Sequence, residues 1–370
     1  MADRALEFFH TAVSARALEL AAETLRSGWI SEGRRVSEFE TALSAALGLA
    51  HPVTVNSGTA ALQLALVLAG VGPGDEVILP AQTFVATGLV VLMQGATPVF
   101  ADIDPETGNI DGRSIRAKVT ERTRALMPVH WAGYPCNLDE IEDIAREHRL
   151  AVIEDAAHAL GATYKGRRVG AISRFTAFSF QAIKHLTTGD GGALCCGAAA
   201  DADAAIRRRW FGIDRRHSSP SLLGERIYDI AEVGYKFHMN DVAAAIGLGN
   251  LEDFPARLAR RRGIARRYRE ELAHVSGLTL LRSEPDRESA CWLFTILVDG
   301  REEFIRRLAE HGVPASVVHL RIDRNTVFGG LRDDLVGQER FDARQVALPL
   351  HEGLTDGDVT RVVNAVRQGW

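Results

Sequence analysis

The chain has 370 residues, of which 46% are hydrophobic and 25% are charged, and its formal net charge is −5 at pH 7. This composition is ordinary for a globular protein, and the length favours two domains over one. The slightly acidic balance gives no reason to expect nucleic acid or an anionic membrane as a partner.

The same sequence gives no targeting or metal signal. No run of about 18 apolar residues predicts a membrane span, and the first residues lack the apolar core of an ordinary signal peptide. The four cysteines show no C-x-x-C spacing, so we expect no zinc site. We expect reduced thiols in a cytoplasmic protein.

The N-terminal part predicts two amphipathic helices, residues 3–27 and 36–47, around a loop at 28–33. After them, short apolar runs alternate with helical patterns, which favours a mostly parallel sheet covered by helices on both faces. The predicted strands are 52–55, 76–79, 98–101, 125–129, 151–154, 175–180 and 192–196. The predicted helices between them are 59–69, 84–94, 110–119 and 138–147.

The C-terminal part predicts a smaller α/β domain. Residues 241–276 form one long helical pattern with a kink at Pro255, followed by a strand at 289–298, a helix at 302–312 and a strand at 315–319. A last helix is predicted at 355–368, with Thr355 as its N-cap. We therefore assign residues 1–250 to the N-terminal helices and the large domain, and 251–370 to a connector helix and the small domain.

Lys184 stands between a strand-like run and a glycine-rich turn. A lysine amine is a nucleophile only when it is unprotonated, and burial lowers its pKa enough for this. An enzyme would hold an aldehyde cofactor there as an imine. Taken alone, however, a lysine in a loop is more often a surface residue.

Two strand ends carry further candidates. At Ser57, Gly58 and Thr59 a strand turns into a helix, whose first backbone N–H groups could bind phosphate or could simply be capped. Asp155 closes an apolar strand, where a carboxylate could pair with a pyridinium nitrogen or cap a helix.

Two more residues fit the same ligand. The hydroxyl of Ser179 could contact a phosphate, and Phe84 could stack on a flat ring or belong to the core. The phosphate turn, the aromatic residue, the strand-end aspartate and the lysine follow one another across one predicted sheet. Together they indicate pyridoxal 5'-phosphate (PLP).

With these motifs the sequence resembles the DegT-type sugar aminotransferases (the DegT/DnrJ/EryC/StrS family), which are PLP enzymes of the aspartate-aminotransferase fold, fold type I. The resemblance implies a large domain with a mostly parallel, mixed seven-stranded sheet and a smaller C-terminal α/β domain. The matching segments span nearly the whole chain and are 28–33, 56–61, 80–84, 154–158, 179–192, 234–241 and 348–351.

The resemblance also implies roles for individual residues. Lys184 matches the lysine that forms the imine with the cofactor and later moves the proton, and Asp155 matches the partner of the pyridine nitrogen. Phe84 matches the aromatic residue stacked on the cofactor ring, and His158 matches a position near the phenolic oxygen. The residues that match ligands of the cofactor's phosphate are Ser57, Gly58, Thr59 and Ser179.

Two segments are implied to meet the substrate or a second subunit. Residues 234–241 match a loop that reaches into the neighbouring subunit's site, where either Lys236 or His238 contacts the phosphate. We assign His238 to the cofactor and Lys236 to the substrate side. His319 matches a substrate-side position in the C-terminal part.

The implied reaction moves an amino group from L-glutamate to a nucleotide-linked keto-sugar for amino-sugar biosynthesis, with C4 of a 4-keto-6-deoxy sugar preferred. A cytoplasmic homodimer with shared sites is expected. One branch of the family dehydrates its substrate and has histidine in place of the lysine, so Lys184 argues against that branch. Amination of a cyclitol ketone, amination at C3, and a PLP-binding regulator without turnover stay open.

Overall fold

The computed structural model describes residues 5–214 and 219–370. Its large domain is built on a seven-stranded sheet, and the strands are numbered here in chain order, counting only those of three or more residues. They are β1 Pro52–Val55, β2 Glu76–Pro80, β3 Thr97–Ala101, β4 Thr123–Leu126, β5 Ala151–Asp155, β6 Phe175–Ser179 and β7 Gly192–Cys196.

The strand order across the sheet is β1-β7-β6-β5-β4-β2-β3, and β7 is antiparallel to both of its neighbours while the other pairs are parallel. The prediction of a mostly parallel, mixed seven-stranded sheet is confirmed. At one edge of the sheet Gly192, where β7 begins, is paired with both Val55 and Ser179. The ends of β1 and β6 and the start of β7 therefore lie side by side.

Helices cover both faces of this sheet. On one face Leu64 and Val90 belong to one cluster with the strand residue Ile153, and on the other Phe39 and Phe254 belong to one cluster with the strand residue Phe178. The helices are α1 Ala15–Ser27, α2 Arg34–Leu47, α3 Gly58–Leu68, α4 Ala86–Met93, α5 Gly112–Lys118, α6 Leu138–His148, α7 Ala199–Arg208, α8 Asp241–Leu272, α9 Arg301–Glu310, α10 Val336–Arg344 and α11 Asp356–Arg367.

Helix α8 joins the two domains and continues through Pro255. Its side chains Phe254 and Leu258 belong to the core of the large domain, whereas Ile264 and Tyr268 belong to the core of the small one. The division between residues 250 and 251 falls inside this helix and stays a prediction.

The small domain contains a three-stranded antiparallel sheet with the order β8 Leu278–Leu280, β9 Phe294–Val298, β10 Gln345–Leu348. The strand predicted at 289–298 is confined to β9. The strand predicted at 315–319 is wrong, because only Ser316 pairs with a strand residue, Ala347, and Val318 has a positive φ of 63° that no strand tolerates. The terminal helix begins as predicted, with Thr355 capping it.

The N-terminal helix is shorter than predicted. Of residues 3–14, the described part from residue 5 is not helical, and α1 starts at Ala15 because the Ser14 hydroxyl caps it by accepting the N–H of Ala17 at 3.0 Å. The preceding segment packs against the domains instead, with Phe9 stacked on Trp292 at 5.6 Å between ring centroids. The packing of this half-buried aromatic residue outweighs the local helical pattern.

Several two-residue strands pair outside the two main sheets. Thr163–Tyr164 pairs with Arg167–Arg168 and with Arg287–Glu288, and Ser219–Pro220 pairs with Arg226–Ile227. None of the helices in the described ranges 5–214 and 219–370 has the length and apolar character needed to cross a bilayer.

Candidate active site

A cavity of about 330 Å³ opens at the carboxyl ends of β1, β5 and β6. These strands flank the antiparallel β7, and ligands of open α/β sheets bind where the strand direction or order changes. The small domain closes the cavity with Trp292 and His319. The structure brings nine of the predicted site residues together in its lining: Ser57, Gly58, Thr59, Phe84, Asp155, His158, Ser179, Lys184 and His319.

Lys184 projects its amine into this cavity. Its Nζ lies 3.7 Å from the centroid of the Trp292 ring, and its backbone N–H donates to the carbonyl of Gln181 at 2.9 Å. Burial lowers the pKa of Lys184 to about 7, against a weaker opposing effect of the Asp155 carboxylate. A large share of the amine is therefore unprotonated near neutral pH, as a nucleophile requires.

Asp155 is buried at the end of β5 and holds two hydrogen bonds. Its Oδ2 accepts the hydroxyl of Thr87 at 2.7 Å, and its Oδ1 accepts the N–H of Ala157 at 3.1 Å. Burial raises the pKa of this carboxyl, and the two donors oppose the rise. A cationic ring nitrogen placed against Asp155 would be strongly favoured, because it would compensate a charge that water does not reach.

Thr87, near the start of α4, and Thr83, in the turn before it, together support Asp155. Their hydroxyl oxygens lie 2.6 Å apart, and both side chains are buried. Because each hydroxyl has one proton, Thr83 donates to Thr87 when Thr87 donates to Asp155. Neither threonine was predicted from the sequence, because Thr83 lies in the turn after β2 and only Thr87 belongs to α4, so no single helical pattern marks the pair.

His158 lies parallel to Trp292, with 3.7 Å between the ring centroids and 17° between the ring planes. Burial lowers its pKa well below the usual range, so the ring is neutral at physiological pH. Its Nδ1 is buried and has no hydrogen-bond partner among the described residues. A ligand with a matching polar atom in the cavity would satisfy it.

His319 stands at the mouth of the cavity beside Phe84, at 5.3 Å between ring centroids. Burial lowers the pKa of His319 to about 4, so this ring is neutral as well. The carbonyl of His319 accepts the side-chain amides of Gln82 at 3.3 Å and Gln345 at 3.2 Å. These bonds hold the histidine in place after the unfavourable backbone of Val318.

The N-terminus of α3 forms the opposite end of the cavity. Ser57 caps the helix by accepting the N–H of Ala60 at 3.1 Å, while the N–H groups of Gly58 and Thr59 find no acceptor in the described part of the chain. A Cβ at Gly192 would come within 2.7 Å of the Gly58 nitrogen, so only glycine permits this packing. Free N–H groups at a helix N-terminus are a binding site for phosphate.

These residues fit PLP. An unprotonated amine, a buried carboxylate, a helix N-terminus for a phosphate and an unsatisfied imidazole nitrogen all line one cavity. Trp292 is a further lining residue that the sequence analysis missed. It comes from the small domain, more than a hundred residues after Lys184, and no local pattern marks it.

Lys236 and His238 do not line this cavity. The Nζ of Lys236 lies 4.3 Å from the centroid of the Trp210 ring, and the His238 ring lies 4.2 Å from the same residue. Their segment pairs with the end of β1, where Val55 bridges His238. Their assignment to the neighbouring subunit's site stays a prediction.

The fold and this cavity define a PLP-dependent transferase of fold type I. Residues 12–367 match the model of the DegT/DnrJ/EryC1/StrS aminotransferase family, and the chain belongs to that family, as the resemblance predicted. It is a sugar aminotransferase, and the family is PLP-dependent.

Three relatives illustrate the similarity. GDP-perosamine synthase of Caulobacter vibrioides is 37% identical over 357 residues, which cover 94% of this chain and 93% of that protein. The structure of the sugar aminotransferase CalS13 from Micromonospora echinospora is 36% identical with a TM-score of 0.94, covering 98% of this chain and 100% of that one. Spr1654 from Streptococcus pneumoniae, solved in a PLP form, is 31% identical with a TM-score of 0.91, covering 99% and 98%.

Proposed function

We propose that this chain uses PLP to transfer the amino group of L-glutamate to C4 of a nucleotide-linked 4-keto-6-deoxy sugar. The observation that carries the proposal is the placement of Lys184, with a pKa of about 7, in the same cavity as the buried Asp155. The similarity to GDP-perosamine synthase supports a nucleotide-linked sugar as the amino acceptor.

In this proposal Lys184 both binds the cofactor and moves protons. When bound, PLP supplies an aldehyde that carries the amino group and a ring that takes up electrons. As general base the unprotonated Nζ of Lys184 would remove the proton from the α-carbon of the donor, and as general acid it would deliver that proton to the former aldehyde carbon of the cofactor. The face of Trp292 beside Nζ excludes water and keeps the amine in line with the cavity.

The other lining residues orient the ligand. Asp155, held by Thr87 and the N–H of Ala157, keeps the ring nitrogen protonated. The N-terminus of α3 and Ser179 bind the phosphate, and His158 meets the phenolic oxygen. Phe84 stacks on the ring, while His319 at the mouth contacts the sugar. Both imidazoles are neutral, so they donate or accept hydrogen bonds without adding charge.

A second copy of the chain would complete the site. Large apolar side chains are exposed in the segment around the paired strands Ser219–Pro220 and Arg226–Ile227, among them Leu222, Leu223 and Val233. The side chain of Trp29 is also 71% exposed. Exposed apolar surface of this kind marks a protein interface. We propose that a homodimer covers it and that the loop with Lys236 and His238 then reaches the partner's cavity, His238 toward the phosphate and Lys236 toward the substrate.

The test of the proposal follows the absorption of the bound cofactor. Glutamate added to the PLP-loaded protein should remove the visible band and release 2-oxoglutarate, and a 4-keto-6-deoxy nucleotide sugar should then restore the band. A screen that includes 3-keto sugars and a cyclitol ketone separates the alternative acceptors. A band that glutamate leaves unchanged would instead favour a PLP-binding regulator without turnover.

The lysine assignment has its own control. Lys184→Ala should abolish the visible band and turnover together, because no amine remains to bind the aldehyde. Lys165→Ala removes an exposed lysine whose amine is paired with Asp139 at 2.6 Å, and it should leave both unchanged. A normal band in Lys184→Ala would contradict the assignment.

A further inference from the structure

A second cavity, of about 290 Å³, lies between the domains, and its lining residue Trp131 is 6.0 Å from His158 of the catalytic cavity, measured between ring centroids. Its walls come from α8, from the segment that leads into β9, and from the large-domain turn that includes Trp131 and Tyr134. Within the described residues it shares no lining side chain with the catalytic cavity. We call it the seam cavity.

Arginine dominates the lining of the seam cavity. Among the described residues of its lining, five arginines face one carboxylate, that of Glu288, and three of the five are already paired with acids. Arg262 lies 3.1 Å from Glu288, Arg287 lies 2.7 Å from Asp286, and Arg282 contacts Asp104, Glu106 and Glu284.

The other two arginines have no acidic partner in the part of the chain that the structure describes. Arg269 donates to the carbonyl of Leu281 at 3.0 Å, and Arg266 makes no hydrogen bond or ion pair there. The two residues are three positions apart on α8 and so share one face of the helix. Arg266 and Arg269 therefore add two positive charges to a cavity in which the charges of the other arginines are paired with carboxylates.

The same walls contain two buried hydrogen-bond groups without partners among the described residues. These are the indole Nε1 of Trp131 and the hydroxyl of Thr295. An indole N–H only donates, and a buried donor that stays unpaired is costly enough to be rare. Both groups gain a partner if a ligand with acceptor atoms enters the cavity.

We propose that the seam cavity binds a small oxyanion, a carboxylate or a phosphate ester, between Arg266, Arg269 and the two buried donors. Guanidinium groups match the geometry of both anions, and the unpaired indole of Trp131 and hydroxyl of Thr295 can both donate to an anion. The volume is at the lower end for small-molecule sites, which limits the ligand to a dicarboxylate or a sugar phosphate. This anion site is independent of the amino acceptor proposed for the catalytic cavity.

Calorimetric titration of the PLP-saturated protein at fixed ionic strength tests the inference. Glucose 1-phosphate and succinate are the two probes, and the tighter of them identifies the anion class. Arg266→Gln combined with Arg269→Gln should weaken binding at least tenfold. The matched control, Arg26→Gln with Arg149→Gln, makes the same charge change at two exposed positions, one in α1 and one directly after α6, and should bind like the unmodified protein.

A second variant tests the buried donors. Thr295→Val keeps the shape of the side chain and removes the hydroxyl, so it should weaken the preferred probe about tenfold. The absence of saturable binding by either probe would overturn the inference. Equal affinity in the Arg266/Arg269 double variant and its control, or in Thr295→Val and the unmodified protein, would do the same.

Discussion

The hydroxyl of Thr87 donates a 2.7 Å hydrogen bond to Oδ2 of Asp155, and both side chains are buried. This bond fixes the carboxylate at the end of β5 in the direction of the cavity. Thr83 donates to Thr87 in turn, at 2.6 Å. Asp155, the proposed partner of the cofactor's ring nitrogen, is thus held in place by α4, a helix that follows β2 and not β5.

The first prediction concerns this chain of hydroxyl groups. Thr87→Val leaves Oδ2 of Asp155 without its donor, so the pKa of the carboxyl should rise further and the affinity for PLP should fall by about tenfold. Thr83→Val removes only the outer hydroxyl and should have a smaller effect. Equilibrium titration of the cofactor-free variants with PLP measures both affinities. Equal affinities in Thr87→Val and the unmodified protein would contradict the positioning role.

The second prediction concerns pH. Burial lowers the pKa of Lys184 from 10.5 to about 7, so between these values the unfolded chain binds a proton that the folded, cofactor-free protein does not. The unfolding free energy contributed by this group therefore rises with pH across that window. The stability difference between Lys184→Met, which cannot titrate, and the unmodified protein should shrink as pH rises from about 7 to about 10.

Urea unfolding of both cofactor-free proteins at several pH values measures this difference. Parallel stability curves over the window would show that the lysine titrates normally. Binding of PLP gives an independent reading, because its rate should fall as pH drops below about 7 and the amine becomes protonated.

Much of the large domain could be predicted because its signals are local. The strands β1 and β7 begin and end at the predicted residues, and Asp155 and Ser179 stand at the ends of strands as the sequence indicated. Such strands are buried on both faces and read as short apolar runs between turns. Many of the cavity residues could therefore be predicted as well, because the cavity lies at the ends of these strands.

The parts that were wrong depend on contacts between distant segments. Residues 315–319 have the β-branched pattern of a strand, but Gln82 and Gln345 hold the carbonyl of His319, and Val318 turns the chain. Strand β10 was not predicted, because it forms by pairing with β9, which lies far earlier in the chain, and a proline follows it directly. The helix predicted from residue 3 was too long, because the N-cap signal of Ser14, present in the sequence, was not taken as the start of α1.

The third prediction concerns the packing beneath the phosphate turn. Gly192→Ala would place a Cβ 2.6 Å from the backbone carbon of Ser57 and 2.7 Å from the nitrogen of Gly58, so the turn must shift. We expect weaker PLP binding, because the N–H groups of α3 lose their direction. Gly197→Ala, directly after the far end of the same strand, would place its Cβ 3.4 Å from the nearest atom and should bind PLP normally.

Titration with PLP and with inorganic phosphate measures the effect at the turn. Both ligands should lose affinity in Gly192→Ala, since both use the helix N-terminus. A variant that loses PLP but retains phosphate would contradict this explanation and indicate damage elsewhere in the cavity.

The fourth prediction concerns Asp241, which joins two of the segments that carry the family resemblance. Its buried carboxylate accepts the N–H groups of Gly33 at 2.8 Å, Val36 at 3.1 Å and Arg35 at 3.2 Å, and so caps α2 from the first residue of α8. Asp241→Ala leaves these donors unsatisfied. The loss should lower the unfolding free energy by about 1–3 kcal/mol.

Urea denaturation of the PLP-loaded protein compares Asp241→Ala with Asp143→Ala, a surface aspartate whose carboxylate contacts Arg146 at 2.7 Å within one helix. The surface variant should change stability by less than about 0.5 kcal/mol, because an exposed pair of this kind contributes little. If both variants are equally stable, the cap does not hold α2. If Asp241→Ala is the less stable and its PLP affinity is unchanged, Asp241 acts on the fold and not on the cavity.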